Sequence, residues 1–208
     1  MKKLLVLGVT LALVAFAAAG LSATERKGMF GADLGGVLTM PMGDFGDGFK
    51  MGWRAGATVG YFVTDQIQIG ATGVYGQNKV TDDGLAFLQS LDSNITDAKV
   101  TIWQFGALGK YHFKMQNPTI APYVRAGLGF YNAKNSETGG SSASTSSTEL
   151  GMNGGLGARF AVSPTASVFV EGLYHNIFTE GGSTNYLEAN AGLSLMFGKP
   201  ASSRTTPR

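Results

Sequence analysis

Hydrophobic and polar residues alternate along eight segments of the chain, beginning at residue 29. Side chains on a β-strand point alternately to opposite faces, so a period of two predicts strands. In the second segment, Trp53, Val59 and Tyr61 share one face, whereas Arg54 and Thr58 share the other. We place the strands at Met29–Met40, Met51–Val63, Gln66–Asn78, Lys99–Met115, Ala121–Asn132, Glu149–Ala161, Ala166–Ile177 and Asn185–Phe197.

The connections between these segments alternate strictly between long and short. The short ones are Thr64-Asp65, Gln116–Ile120 and Val162–Thr165, and the long ones are Pro41–Lys50, Lys79–Ala98, Ala133–Thr148 and Phe178–Thr184. Strands of about 9–11 residues cross a bilayer when tilted, and membrane barrels have short periplasmic turns and long external loops. The pattern therefore predicts an all-β fold, an eight-stranded antiparallel up-and-down transmembrane β-barrel. We expect it in the bacterial outer membrane with both termini periplasmic.

Alternation alone does not show which face meets lipid, because a soluble lipid-binding barrel alternates with its apolar face inside. The aromatic residues favour the membrane, since they cluster near both ends of the apolar face, as expected of belts at the two lipid–water boundaries. The belt near the long loops comprises Trp53, Tyr75, Trp103, Phe130 and Tyr174. The belt at the other end comprises Phe30, Tyr61, Tyr111, Phe113, Phe160 and Phe197.

The polar face carries charged residues that would point into the lumen. These are Asp33, Arg54, Lys110, Arg125, Arg159, Glu171 and Glu188. Eight strands leave room only for side chains, and an unpaired charge in such a space is costly. We therefore predict a lumen charge network of salt bridges that packs the interior as a plug rather than a wide pore.

The N-terminus has the features of a secretory signal peptide. Lys2 and Lys3 precede an apolar run from Leu4 to Ala19, and small residues follow. We predict cleavage after Ala23, with Ala19 as the alternative. The predicted organisation is a signal peptide (1–23), a barrel (24–197) and a disordered periplasmic tail (198–208) rich in Pro, Ser, Thr and Arg.

Composition argues against several kinds of function. The chain has no cysteine and a net charge of +2 without a basic cluster, so we expect neither a thiolate-bound metal nor a nucleic-acid partner. The alternation of faces along each strand places both histidines, His112 and His175, in the lumen. A serine–histidine–acid set facing lipid is therefore not expected. Asp44 and Asp47 fit a glycine-rich turn better than a calcium loop. We expect no catalytic residues, no metal and no cofactor.

The end of the last segment resembles the assembly signal of outer-membrane barrels, with matching positions Asn190, Gly192, Leu195 and Phe197. Together with Pro41–Gly46, Gly60–Asp65 and the architecture, this makes residues 28–197 similar to the small outer-membrane barrel domains of the OmpA and OmpX type. The resemblance implies insertion by the barrel-assembly machinery. It departs from the family at 198–208, a tail too short for a peptidoglycan-binding domain.

The leading hypothesis is a non-enzymatic outer-membrane barrel that supports the envelope or binds ligands through its external loops. Its expected partners are outer-membrane lipid, lipopolysaccharide and an unknown surface ligand. The segment Asp83–Leu91 predicts a short helix capped by Asp83, which either lies over the barrel mouth or packs its loop onto itself. Two alternatives remain open, a small low-conductance channel and a soluble periplasmic lipid-binding barrel.

Overall fold

The computed structural model describes residues 26–116, 119–139 and 144–200 of the 208-residue chain. Its eight strands form a closed barrel in which each strand pairs antiparallel with its neighbours in sequence, and β1 pairs with β8. This confirms the predicted fold class. The strands are β1 (Phe30–Met42), β2 (Gly52–Phe62), β3 (Ile67–Lys79), β4 (Asp97–His112), β5 (Ile120–Thr138), β6 (Ser144–Ala161), β7 (Ala166–Thr179) and β8 (Gly182–Phe197).

The two ends of the barrel differ. At one, called here the turn end, short connections join β2 to β3, β4 to β5 and β6 to β7. At the other, the loop end, β1 and β2 are joined through α1 (Asp44–Gly48), and β3 and β4 through α2 (Asp82–Leu91). In the part of the chain that the structure describes, neither helix has the length and apolarity needed to cross a membrane. The predicted signal peptide and the tail beyond residue 200 lie outside the described residues.

Two of the four predicted long loops are largely strand. β5 and β6 continue past the expected ends and pair from Asn132↔Thr148 to Ser136↔Ser144. β7 and β8 likewise pair up to Thr179↔Gly182. The prediction treated Ser/Thr-rich sequence as loop, but threonine is β-branched and suits a strand once a partner is present. Gly139 and Gly181, with φ of 89° and 86°, provide the left-handed backbone needed where these hairpins turn.

Burial alternates along most of the barrel wall and shows which face is outside. The exterior face carries large apolar side chains that are more than half exposed, such as Leu34, Val59, Leu128, Leu156 and Leu193. Trp53 and Trp103 are also on the outside, 50% and 45% exposed. A soluble barrel carrying an apolar ligand requires this face to be inside, so that alternative is wrong. An apolar exterior of this extent is suited to lipid.

The described N-terminal segment is fastened to the turn end. The backbone N–H groups of Arg26 and Lys27 each donate to Asp65 Oδ1 at 2.9 Å. These donors, Lys27 first and then Arg26, hold the pKa of the Asp65 carboxyl below its usual value. Asp65 therefore holds the start of the chain beside the first short turn.

Some glycines of the barrel wall allow the backbones of neighbouring strands to approach closely, whereas others do not. A Cβ on Gly155, in β6, would collide with the carbonyl oxygen of Gly172 in β7. A Cβ on Gly172, which is on the exterior face, would meet no atom within 4 Å. The two glycines lie in adjacent strands, but only Gly155 lacks space for a Cβ atom.

Gly155→Ala should destabilise the barrel by about 1–3 kcal/mol, because the backbone must shift to admit the methyl group. Gly172→Ala is the matched control and should change the free energy of unfolding by less than about 0.5 kcal/mol. Urea unfolding in detergent micelles, followed by tryptophan fluorescence, measures both. Equal losses in the two variants would contradict this account of Gly155.

Candidate functional site

All seven residues of the predicted lumen charge network lie inside the barrel, where they are between 2% and 6% exposed. Strand alternation places them there, since each shares its face with the other buried positions of its strand. They form two groups along the barrel axis. Five residues make a turn-side cluster, and two make part of a loop-side cluster.

The turn-side cluster consists of Asp33, Lys110, Arg125, Arg159 and Glu171. Asp33 Oδ2 accepts from Lys110 Nζ at 2.8 Å and from Arg159 Nη2 at 2.9 Å. Glu171 Oε1 accepts from Arg125 Nη1 at 2.6 Å, and Glu171 Oε2 lies 3.7 Å from Lys110 Nζ. Lys110 therefore bridges the two carboxylates and joins five strands into one network.

Three cations face two anions in the turn-side cluster, and aromatic rings surround the excess positive charge. Lys110 Nζ lies 4.8 Å from the ring centroid of Tyr123, and Arg159 Cζ lies 5.8 Å from the same ring. Tyr123 Oη also donates to Glu171 Oε2 at 2.9 Å. A ring face attracts a cation, most strongly where water is excluded. Tyr123 therefore stabilises the cluster in two ways.

The loop-side cluster consists of Arg54, Glu188, His175, Tyr131 and Tyr186. Arg54 Nη1 donates to Tyr186 Oη at 2.5 Å and lies 3.9 Å from Glu188 Oε2. His175 stacks on Tyr186 with ring centroids 4.4 Å apart, and its Nε2 lies 3.2 Å from Glu188 Oε2. Its Nδ1 is 3.0 Å from Tyr131 Oη. The Tyr186 hydroxyl and the His175 imidazole thus supplement the long ion pair between Arg54 and Glu188.

Above the loop-side cluster the lumen becomes apolar. Phe45 and Phe49, at α1, pack against a buried group comprising Val100, Ile102, Tyr131, Ile177 and Tyr186. The sequence predicted only a glycine-rich turn here, whereas residues 44–48 form a short helix. Phe45 of α1 and Phe49, the residue that follows it, therefore cover this buried group at the loop end of the lumen.

Sequence reasoning anticipated the charged side chains of the lumen but missed its aromatic ones. Tyr123, Phe169 and Tyr186 are at most 2% exposed and fill the space between the charges. The alternation of strand faces could have located these rings, because each lies two residues from Arg125, Glu171 or Glu188 and so shares its face. A cavity of about 10 Å³ remains between the two clusters, which is room for about one water molecule. The lumen is therefore almost filled between the two clusters.

Most of the predicted aromatic belt residues lie on the exterior. Near the loop end, Trp53, Trp103, Phe130 and Tyr174 are 44–61% exposed, and the Tyr75 ring lies between those of Trp53 and Trp103, at 5.9 and 4.5 Å. Near the turn end the exposed rings are Phe30, Tyr61, Tyr111, Phe113 and Phe197.

Phe160 departs from the predicted belt, since it is only 7% exposed. Its cross-strand partners are Ile120 and Val168, which are half-buried themselves. These branched side chains flank Phe160 on both sides, so its ring offers little surface to lipid.

The residues of the predicted assembly signal lie in β8 at the closing seam of the barrel. Leu195 and Phe197 are 38% and 51% exposed on the exterior, and Phe197 pairs with Phe30. Asn190 points inward and donates to Glu171 Oε1 at 3.0 Å, while Gly192 pairs with Gly35. Recognition of these residues by the assembly machinery remains a prediction.

The predicted loop helix is present as α2, but its cap differs. Thr81, not Asp83, is the N-cap, and its hydroxyl accepts from the Gly84 N–H at 3.2 Å. The helix leaves Phe87 and Leu91 65% and 71% exposed. Beside it a groove of about 390 Å³ runs along the extended walls of β4, β5 and β6, lined by Phe49, Val80, Phe87, Leu88, Ala98 and Lys99 among others.

No group of three or more potential metal ligands occurs within residues 26–116, 119–139 and 144–200. Asp44 and Asp47 are in the first turn of α1.

The sequence matches the family model described as outer membrane protein beta-barrel domain over residues 8–197. The chain belongs to this family of outer-membrane barrels. The match covers most of the chain and confirms the resemblance to small barrels of the OmpA and OmpX type. No curated protein sequence matches the chain.

Solved structures of other small outer-membrane barrels share the fold. Neisserial surface protein A is 19% identical with a TM-score of 0.62, covering 82% of this barrel chain and 100% of its own. OprG of Pseudomonas aeruginosa is 16% identical with a TM-score of 0.57, covering 85% and 99%. Ail, the attachment invasion locus protein of Yersinia pestis, is 17% identical with a TM-score of 0.51, covering 82% and 99%. Identities this low establish the fold alone.

Asp33→Asn should destabilise the barrel by about 3–5 kcal/mol, because Lys110 and Arg159 would both lose their nearest carboxylate while buried. Asp82→Asn is the control, since Asp82 pairs with Lys50 at 2.7 Å but both side chains are exposed. An exposed pair contributes little, so this variant should unfold like the wild type. Urea unfolding in lipid vesicles compares them, and an unchanged midpoint for Asp33→Asn would disprove the role assigned to the network.

Proposed function

We propose that this protein is a non-enzymatic, closed outer-membrane barrel whose function resides at its loop end, where it contacts surfaces outside the cell. The observation that carries the proposal is the packed lumen. The cavity between the two charged clusters is only about 10 Å³, and an apolar cap at α1 lies above them. Solute passage through such an interior would require breaking buried ion pairs, which is costly.

The loop end offers what a contact surface needs. Phe87 and Leu91 are the large exposed apolar side chains of α2, and the groove of about 390 Å³ lies next to them. Buried apolar area drives most association between macromolecules. β5 and β6 remain paired beyond Phe130, as far as Ser136↔Ser144, which lengthens the barrel wall at this end. The name of the Ail structure, an attachment invasion locus protein, is consistent with such a role for a small barrel.

The proposal includes an orientation, with the turn end and both termini in the periplasm and the loop end outside. Short turns at one end and helices and hairpins at the other support it, because outer-membrane barrels have short periplasmic turns and longer external loops.

Cells that produce the full chain should adhere to hydrocarbon-coated surfaces more than cells without it. The double variant Phe87→Ser and Leu91→Ser should lose most of this gain, because it removes the exposed apolar side chains of α2. Asp83→Ser, on the same helix, is the matched control and should adhere like the wild type. An epitope inserted after Ser93 should be detected on intact cells, and one after Ser163 only after permeabilisation.

Equal adhesion of the double variant and the wild type would refute the role of α2. Detection of the Ser163 epitope on intact cells, without the Ser93 epitope, would refute the orientation.

A small channel is the second candidate, and the polar lining of the lumen favours it. Gln104, Lys110 and Glu188 all border the internal cavity. Planar bilayer recording decides between the candidates. Under our proposal the pure folded protein gives no conductance steps, since the lumen is filled. Reproducible steps that grow larger in Phe49→Ala, which thins the apolar cap, would favour the channel instead.

A further inference from the structure

Three lysines stand side by side on the exterior of the barrel near the loop end. We call Lys79 of β3, Lys99 of β4 and Lys134 of β5 the lysine row. Lys79 and Lys99 are direct cross-strand partners, and Lys134 is the partner of Thr101. Each shares its strand face with an aromatic belt residue, so all three point away from the lumen.

The lysine row lies at a defined height above the aromatic belt. Tyr75, Trp103 and Phe130 each stand four residues closer to the turn end than the lysine of the same strand. Four residues span about 13 Å along a strand, or about 10 Å along the membrane normal at a tilt of about 40°. Tryptophan and tyrosine mark the edge of the hydrocarbon, so the row lies at the depth of lipid headgroups.

The positive charge of the row is poorly compensated by the protein. Lys79 Nζ lies 3.3 Å from Asp97 Oδ2, but both side chains are largely exposed, so the pair is weak. Among the described residues no carboxylate pairs with Lys99 or Lys134. Like charges directly opposite on neighbouring strands are destabilising, and an anion between them removes that cost.

The row is confined to one sector of the barrel wall. Directly below it on the same strands lie the polar residues Gln77, Thr101 and Asn132. The Gln77 amide donates to Tyr75 Oη and the Asn132 amide to Thr148 Oγ1. On the side of β1, the exposed exterior residues at this end include Met40 and Met42 instead. A cationic row over a polar row, above aromatic rings, matches a lipid with phosphates, sugar hydroxyls and acyl chains in that order.

We propose that the lysine row, with the polar residues below it, binds the phosphate-bearing headgroup of an outer-leaflet glycolipid. The site rests on the proposed orientation, which puts the loop end in the outer leaflet. The lysine stems lie along the barrel wall and their ammonium groups reach the phosphates. The barrel is thereby held at a fixed depth and rotation relative to its lipid neighbours.

The test is titration of the purified full-length protein in detergent with lipid A carrying two phosphates, read by native mass spectrometry. Each lysine near an anionic lipid contributes roughly a factor of five in affinity, so the triple variant K79Q/K99Q/K134Q should lose on the order of a hundredfold. Asp97→Asn should bind more tightly, because it frees Lys79. Lys114→Gln, an exposed lysine at the turn end, is the control and should bind like the wild type.

The wild type should bind dephosphorylated lipid A as weakly as the triple variant binds lipid A with two phosphates. Inorganic phosphate at the same concentration as lipid A should not compete with it. Equal affinity of the triple variant and the wild type, or full competition by inorganic phosphate, overturns the proposal. If the triple variant does not fold, Lys134→Gln alone should lose roughly fivefold. The titration uses purified protein, so its result does not depend on the orientation of the barrel or on adhesion in cells. The proposed adhesive function and the proposed lipid site can therefore fail independently.

Discussion

The structure depends on the pairing of buried charges inside a narrow closed barrel. Closure by β1 and β8 satisfies the backbone but encloses seven charged side chains where water is nearly absent. A charge without a partner in that space would cost several kcal/mol, so the positions of Asp33 and Glu171 constrain those of Lys110, Arg125 and Arg159. This cluster links side chains of five strands across the lumen, in addition to the backbone hydrogen bonds between neighbouring strands. The lumen therefore acts as the polar core of a protein whose apolar surface faces outward.

The aromatic rings of the interior follow from the same constraint. Three cations meet two carboxylates in the turn-side cluster, and Tyr123 places its ring beside the excess charge. Tyr186 does the same for Arg54, whose Cζ lies 4.3 Å from the ring centroid. Filling the lumen with rings also excludes water, which strengthens every remaining ion pair. The same side chains thus stabilise the buried cations and fill the lumen.

The sequence was sufficient for the strand count, the strand faces and the identity of the lumen charges, because a period of two persists through all eight strands. It was insufficient where tertiary contacts decide. The Ser/Thr-rich segment before Leu150 becomes strand because β5 is beside it, and Phe160 is buried because of its two cross-strand neighbours. The α1 lid was missed because five residues carry too little periodicity to distinguish a helix from a turn. Lys79, Lys99 and Lys134 are distant in sequence, and only the register aligns them.

The seam between the first and last strands has a consequence for the timing of folding. Phe30 pairs with Phe197 and Met42 with Asn185, so every residue of β1 has a partner at the far end of the chain. Until β8 pairs with it, β1 has one open edge. Asp33 is then exposed to solvent, because the barrel is not yet closed. Contacts of such sequence separation form late and slow the whole reaction. The barrel therefore cannot close before the whole of β8 is available to pair with β1, and until then the open edge of β1 and the apolar exterior leave the chain prone to aggregation.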